Sequence, residues 1–133
     1  MKKRLVVVGG HGSGEIAMSV FEAANELTAE WHIEGFLTDI RRPGEYMGAH
    51  KVLGGTAEAA DWVSRGYYLH YSLHLNAKAK RERVEDYLSL GIPLEANATA
   101  VHPRACLTPG TEVGQGVVIC ANAATSFRWR SGW

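Results

Sequence analysis

The sequence predicts an α/β protein: a Rossmann-like, mostly parallel sheet with helices, followed by the first coil of a parallel β-helix. Three observations predict it. A β-branched run at residues 5–8 breaks into a glycine turn, Gly9-Gly10-His11-Gly12-Ser13-Gly14, after which a helical period begins. Strand-like and helix-like stretches then alternate as far as Gly91. Beyond Pro93 the period becomes six.

Each element has its own signal. Leu5, Val6, Val7 and Val8 form an unbroken apolar run, the mark of a strand buried on both faces. Over residues 15–25, Ile16, Val20, Ala23 and Ala24 recur at helical spacing and predict a helix. Residues 31–37 read as a second strand ending at Thr38-Asp39. Residues 41–50, with Pro43, Gly44 and Gly48, read as a loop, and residues 52–55 as a short strand or turn. Residues 56–63 read as a short helix with Thr56 at its N-cap and Gly66 closing it. Residues 67–75 alternate, with Leu69, Tyr71, Leu73 and Leu75 on one face and Tyr68, His70, Ser72 and His74 on the other. Residues 78–90 are strongly helical, with Val84, Tyr87 and Leu88 as apolar positions and Gly91 as the stop. The order β-α-β-β-α-β-α is that of a parallel, layered sheet.

Val101, Leu107, Val113 and Ile119 then recur every six residues, and Ala105, Thr111, Val117 and Ala123 form a second set four places later. An alternating strand would repeat at two, so the lattice predicts a parallel β-helix, three hexapeptides to a triangular coil. The lattice fails after Ala124, where Thr125 occupies a position due an apolar residue. The expected division is residues 1–95, residues 96–124 as the start of the β-helix, and a tail at 125–133.

Composition narrows the classes. Of 133 residues, 46% are hydrophobic, and 14 Lys+Arg balance 14 Asp+Glu, so electrostatic capture of nucleic acid or an anionic membrane is not indicated. Residues 1–126 alone carry 12 Lys+Arg against 14 Asp+Glu, and the tail with Arg128, Trp129, Arg130 and Trp133 restores neutrality. No apolar run approaches the ~20 residues of a membrane span. A soluble, cytoplasmic protein is expected. Cys106 and Cys120 lack the spacing of a zinc site or a disulfide framework.

The glycine turn is the first candidate site. Backbone N–H groups between a buried strand and a helix N-terminus form an anion site, and glycine lets a phosphate approach the backbone. The turn is not a Walker A motif. Its formal GxGxxA match, Gly12 to Ala17, starts too far past the strand for a dinucleotide fingerprint. Asp39 stands where a doubly wound fold meets a ribose or base, or it caps a turn. His11 is placed to donate to a phosphate or to pack under the loop. His70 and His74 read as partly exposed strand histidines, without the partners a metal site needs. His102 reads as structural. Lys78, Lys80, Arg81 and Arg83, interleaved with Glu82, Glu85 and Asp86, read as a solvated helix face.

The Gly-Gly-His-Gly turn, the strand ending Phe36-Leu37-Thr38-Asp39, Val52-Leu53-Gly54, and Ala100-Val101-His102-Pro103-Arg104-Ala105 leading into hexapeptides together resemble one family. It is the sialic-acid O-acetyltransferase and bacillosamine-pathway N-acetyltransferase family, the PglD/NeuD-like sugar acyltransferases. The resemblance covers residues 3 to about 124. It implies a Rossmann-like domain that binds a UDP-linked amino sugar, and a left-handed β-helix that forms a homotrimer and binds acetyl-CoA between subunits. Gly9, Gly10 and His11 match the family's phosphate loop, with Gly12 completing the turn. Thr38 and Asp39 match its nucleoside pair, Thr38 replacing an acid, and Asn76 falls in a substrate loop. The family's catalytic histidine segment has no match after Ala124. The chain is therefore expected to bind the sugar nucleotide without catalysing transfer, as a C-terminally truncated member. The rival expectations are an NAD(P)-binding reductase fragment and a non-catalytic assembly module.

Overall fold

A computed structural model of the chain describes residues 1–10, 12–72, 77–125 and 130–131. The first part is a five-stranded sheet in the order β3-β4-β2-β1-β5. Its strands are β1 (Lys3–Val8), β2 (Trp31–Leu37), β3 (Tyr46–Met47), β4 (His50–Gly54) and β5 (Tyr68–Tyr71). β1 pairs in parallel with β2 and β5, and β2 pairs in parallel with β4. Only β3 runs antiparallel, as a hairpin with β4 inside the stretch expected to be a loop.

The unbroken apolar run of β1 is explained by its central place. Leu5 and Val7 enter a core with Phe21, Met18 and Val20 of helix α1 (Ser13–Thr28). Val6 and Val8 point the other way, into a core with Ala59 of α2 (Ala59–Ser64) and Tyr87 of α3 (Ala77–Ser89). All four are fully buried. Burying four such side chains contributes on the order of 6–12 kcal/mol before chain entropy is counted.

Helix α1 is longer than its apolar spacing indicates. It begins at Ser13, where the Ile16 N–H donates to the Gly12 carbonyl at 2.9 Å. It runs past Asn25, whose side chain instead joins the helix to β2: Nδ2 donates to the Trp31 carbonyl, and Oδ1 accepts the Trp31 N–H. Ile16 is half exposed, so the buried apolar stripe is Ala17, Met18, Val20, Phe21 and Ala24. Likewise Leu88 of α3 faces outward while Tyr87 is buried.

The expected N-cap at Thr56 is not what opens the second helical stretch. Residues 56–58 form a 3₁₀ turn, and the Glu58 carboxylate accepts the Gly55 N–H at 2.8 Å. The Thr56 N–H is held by Asp39 instead.

Beyond α3, a second 3₁₀ turn (Leu94–Ala96) leads to Asn97, which bridges in parallel to Leu69 on the outer edge of β5. The Tyr87 hydroxyl donates to Asn97 Oδ1 at 2.9 Å and fixes this passage. Then come β6 (Ala100–Val101), β7 (Glu112–Val113), β8 (Val118–Ile119) and β9 (Arg130–Ser131). β6 pairs in parallel with β8, β7 with β9, and Cys106 with Ala124. Every one of these pairs joins residue i to residue i+18, which is three hexapeptides. Both six-residue sets are buried or half-buried, whereas Cys106, Glu112, Cys120 and Ala124 between them are exposed. The backbone register continues past Ala124, where the apolar lattice stops. Thr125 explains how. Its Oγ1 accepts the Thr108 N–H at 2.7 Å and donates to Thr108 Oγ1 at 2.9 Å, and Thr108 Oγ1 donates back to the Thr125 carbonyl at 2.7 Å. Hydroxyls that satisfy one another and the backbone can occupy an inward position.

Candidate functional site

The helices after β1 and β5 cover opposite faces of the sheet, although the two strands are neighbours. The chain therefore leaves their C-terminal ends in opposite directions, and the crevice between the two connections is where an open α/β sheet binds ligands. A cleft of about 320 Å³ lies there. Gly9, Gly10 and Ser13 line it from the glycine turn, Thr38, Asp39 and Ile40 from the end of β2, and Thr56 from the turn after β4. Ser72 after β5 and Arg83 of α3 complete it.

The turn has this shape because two glycines allow it. Gly9 has φ of 140°, and a side chain there would overlap Ser72 Oγ. The Gly9 N–H donates to the Leu37 carbonyl at 2.9 Å and continues the sheet by one residue. Gly14, in the first turn of α1, lies so close that an added Cβ would stand 2.8 Å from the Gly9 carbonyl carbon. That close approach aims the start of α1 at the cleft.

Thr38 and Asp39 divide the labour at the end of β2. Thr38 is buried, and its N–H donates to the Gly54 carbonyl. Asp39 is exposed, and its Oδ1 accepts the Thr56 N–H at 3.0 Å. Thr38, Asp39 and Ile40 also border a second hollow of about 440 Å³, whose other walls include Arg41, Arg42, Pro43, Glu45 and Gly55. Asp39 thus stands between two adjoining spaces.

Of the residues expected in the site, Gly9, Gly10, Thr38 and Asp39 meet in this cleft. Gly12 does not line it; its carbonyl opens α1. His11 and Asn76 lie outside the described residues, as does His74.

Two other expectations change. Arg83 is not on a solvated face. Its Nε and Nη2 donate to the Ser72 carbonyl at 3.3 and 3.0 Å, and its guanidinium lies 4.3 Å from the Tyr71 ring centroid. Its sequence signal was helical spacing: Arg83 is one turn before Tyr87, on the stripe that faces the sheet. Burial holds the Tyr71 hydroxyl above the ordinary phenol range, and the Arg83 charge partly offsets this.

His70 is buried, not partly exposed. It stands beside Phe21 with ring centroids 5.7 Å apart, and desolvation lowers its pKa to about 4 against a weaker opposing bond to the Ala98 backbone. His102 lies away from the cleft, where its Nδ1 accepts the Arg104 N–H at 3.0 Å and closes a turn. Among the described residues no group of His, Cys, Asp and Glu could hold a metal ion, and no helix is long and apolar enough to cross a membrane.

These features define a doubly wound α/β unit with a cleft at its switch point, followed by parallel eighteen-residue pairing. No protein-family model matches the chain, and no curated protein matches it in sequence. Solved structures do match its fold. The acetyltransferase domain of PglB from Neisseria gonorrhoeae, in complex with acetyl coenzyme A, is similar over 99% of this chain, with a TM-score of 0.69 at 24% identity. A mutant perosamine N-acetyltransferase from Caulobacter crescentus, in complex with CoA and GDP-perosamine, is similar over 94%, with a TM-score of 0.68 at 20% identity. PerB from the same organism, with the same two ligands, gives a TM-score of 0.67 at 19% identity. These structural neighbours are acetyltransferases of the kind the sequence resembles. The chain spans 60% of the PglB domain and 55% of each Caulobacter chain.

Proposed function

We propose that these residues form the sugar-nucleotide-binding part of an acetyl-CoA-dependent sugar N- or O-acetyltransferase. The observation that carries this reading is the convergence of Gly9 and Gly10 with Thr38 and Asp39 on one cleft at the switch point, 29 positions apart in sequence (Asp39 against Gly10). In this reading the diphosphate of a UDP-linked amino sugar sits at the glycine turn. Asp39, with Oδ1 held by Thr56, offers its other oxygen to the donor groups of the ribose or base. The adjoining hollow beside Arg41 and Arg42 takes the remainder of the nucleoside.

The eighteen-residue pairing supports the first coil of a left-handed β-helix, the element that would carry a homotrimer and its acetyl-CoA sites. Acetyl transfer in such an enzyme joins the sugar's amine or hydroxyl to the thioester carbonyl. A base takes the proton, and the CoA thiolate leaves. No described residue is assigned as that base, so the 133-residue polypeptide is expected to bind the sugar nucleotide without sustained transfer.

Calorimetry with UDP, GDP and NADH tests the reading. UDP binding that weakens in Asp39→Ala supports it. A preference for NADH, or no binding of either nucleoside diphosphate, sinks it. Thiol release from acetyl-CoA with UDP-amino sugars tests the last clause, which sustained turnover would overturn.

A further inference from the structure

We infer that Arg83 is the anion-binding side chain of the cleft, the group that takes a phosphate of the bound nucleotide. This deepens the sugar-nucleotide reading and rests on it.

Arg83 is the one cationic side chain among the described residues lining the cleft, and it shares that lining with Gly9, Gly10 and Ser13. Its place is set in advance. The Ser72 carbonyl accepts from Nε and Nη2, and the Tyr71 ring supports the guanidinium face. Ser72 is itself tied to the Val8 carbonyl, through its N–H at 2.9 Å and its Oγ at 2.7 Å. The guanidinium is therefore anchored to the last residue of β1, directly before the glycine turn. The Ser72 carbonyl engages two of the five N–H donors of a guanidinium, and the planar fork suits a phosphate edge. A cation already held in place loses little freedom when a ligand arrives.

The cleft is lined by one cation and one carboxylate, Arg83 and Asp39, which narrows the ligand class. Arg83 and the backbone of the glycine turn attract an anion. Asp39 lines the same cleft and would repel one, while it accepts from hydroxyl or N–H donors. A matching ligand is anionic at one end and carries donors at the other, as a nucleoside diphosphate does. Inorganic diphosphate alone satisfies only Arg83 and the glycine turn.

The test compares the wild type with Arg83→Gln and Arg83→Lys, using UDP, inorganic pyrophosphate and uridine as probes. Arg83→Gln is expected to weaken UDP and pyrophosphate by about ten- to a hundredfold, the loss of one charge-assisted contact. Uridine binding should stay unchanged, and Arg83→Lys should recover part of the loss. UDP binding indifferent to Arg83→Gln overturns the assignment and leaves the sugar-nucleotide reading standing. An equal loss for UDP and uridine also overturns it, because that is the mark of a merely structural arginine. Pyrophosphate binding that depends on Arg83, with no binding of UDP or GDP, keeps the anion site and sinks the sugar-nucleotide reading. No binding of any probe by the wild type overturns both. Phenylglyoxal modification of the wild type gives an answer that does not depend on variants folding. Pyrophosphate should protect Arg83, located by peptide mass, and an absence of protection counts against the proposal.

Discussion

Asp39 Oδ1 accepts the backbone N–H of Thr56 at 3.0 Å, across 17 residues of chain. This bond ties the end of β2 to the turn after β4, so one carboxylate oxygen serves the fold while the side chain still faces the cleft. The two roles can be separated. Asp39→Asn keeps a carbonyl oxygen for Thr56 and should unfold within ~0.5 kcal/mol of the wild type, yet bind UDP several-fold more weakly. Asp39→Ala should lose the binding and, in addition, about 1 kcal/mol of stability. Urea unfolding alongside calorimetry checks the pair, and equal stability of the two variants would show that the Thr56 bond contributes nothing.

Gly14 and Gly9 meet backbone to backbone, and neither tolerates a methyl group. An added Cβ at Gly14 stands 2.8 Å from the Gly9 carbonyl carbon, and one at Gly9 overlaps Ser72 Oγ while the backbone holds φ at 140°. Gly14→Ala should cost about 1–3 kcal/mol despite alanine's better helix propensity. Gly9→Ala should cost at least as much, because backbone strain adds to the overlap. Gly12→Ala isolates the strain of a positive φ, 81° there, since no atom lies within 4 Å of an added Cβ. Urea midpoints rank the three.

His70 makes stability depend on pH in a defined direction. Burial lowers its pKa from 6.5 to about 4, so between those values the unfolded chain binds a proton that the folded chain does not. The contribution is fully present above pH 6.5 and is lost as pH falls toward 4. Between pH 7 and pH 5 it amounts to about 2 kcal/mol. His70→Phe keeps an aromatic ring beside Phe21 and removes the proton site. The difference in unfolding free energy between the two pH values should shrink by that amount. An unchanged difference means that His70 does not titrate as its burial requires.

Thr125→Val sets the sequence pattern against the structure. By the lattice, valine at this position continues the apolar column and should stabilise. In the structure it leaves the Thr108 N–H and Oγ1 without the Thr125 hydroxyl. We expect a loss of about 1 kcal/mol, the cost of a half-buried donor without its partner. Thermal unfolding decides between the two signs.

Much of the first unit is legible in the sequence, and for physical reasons. A strand covered on both faces must be apolar throughout, so residues 5–8 declare themselves. A turn that presses helix backbone against loop backbone must use glycine, so Gly9 and Gly14 stand out. Asp39 follows from its place at a strand end. Arg83 was hidden because charge in sequence does not say which helix face meets a neighbour; Glu82 and Asp86 made it look solvated. The β3 hairpin was hidden because two-residue strands carry no period.

The sequence by itself determined the alternation of strand and helix, the glycine turn and the six-residue period, because each is a local repeat imposed by what a helix, a strand or a coil side must bury. Only the tertiary structure decided what covers each face. Packing of α3 on the second face of the sheet carries Arg83 to the cleft, and Asn97 on the edge of β5 closes the sheet where His70 is buried. Stacking at a distance of eighteen residues lets Thr125 replace an apolar residue with a hydrogen-bonded one. These outcomes depend on contacts between segments far apart in the chain, and a local period fixes which residues are buried without fixing their partners.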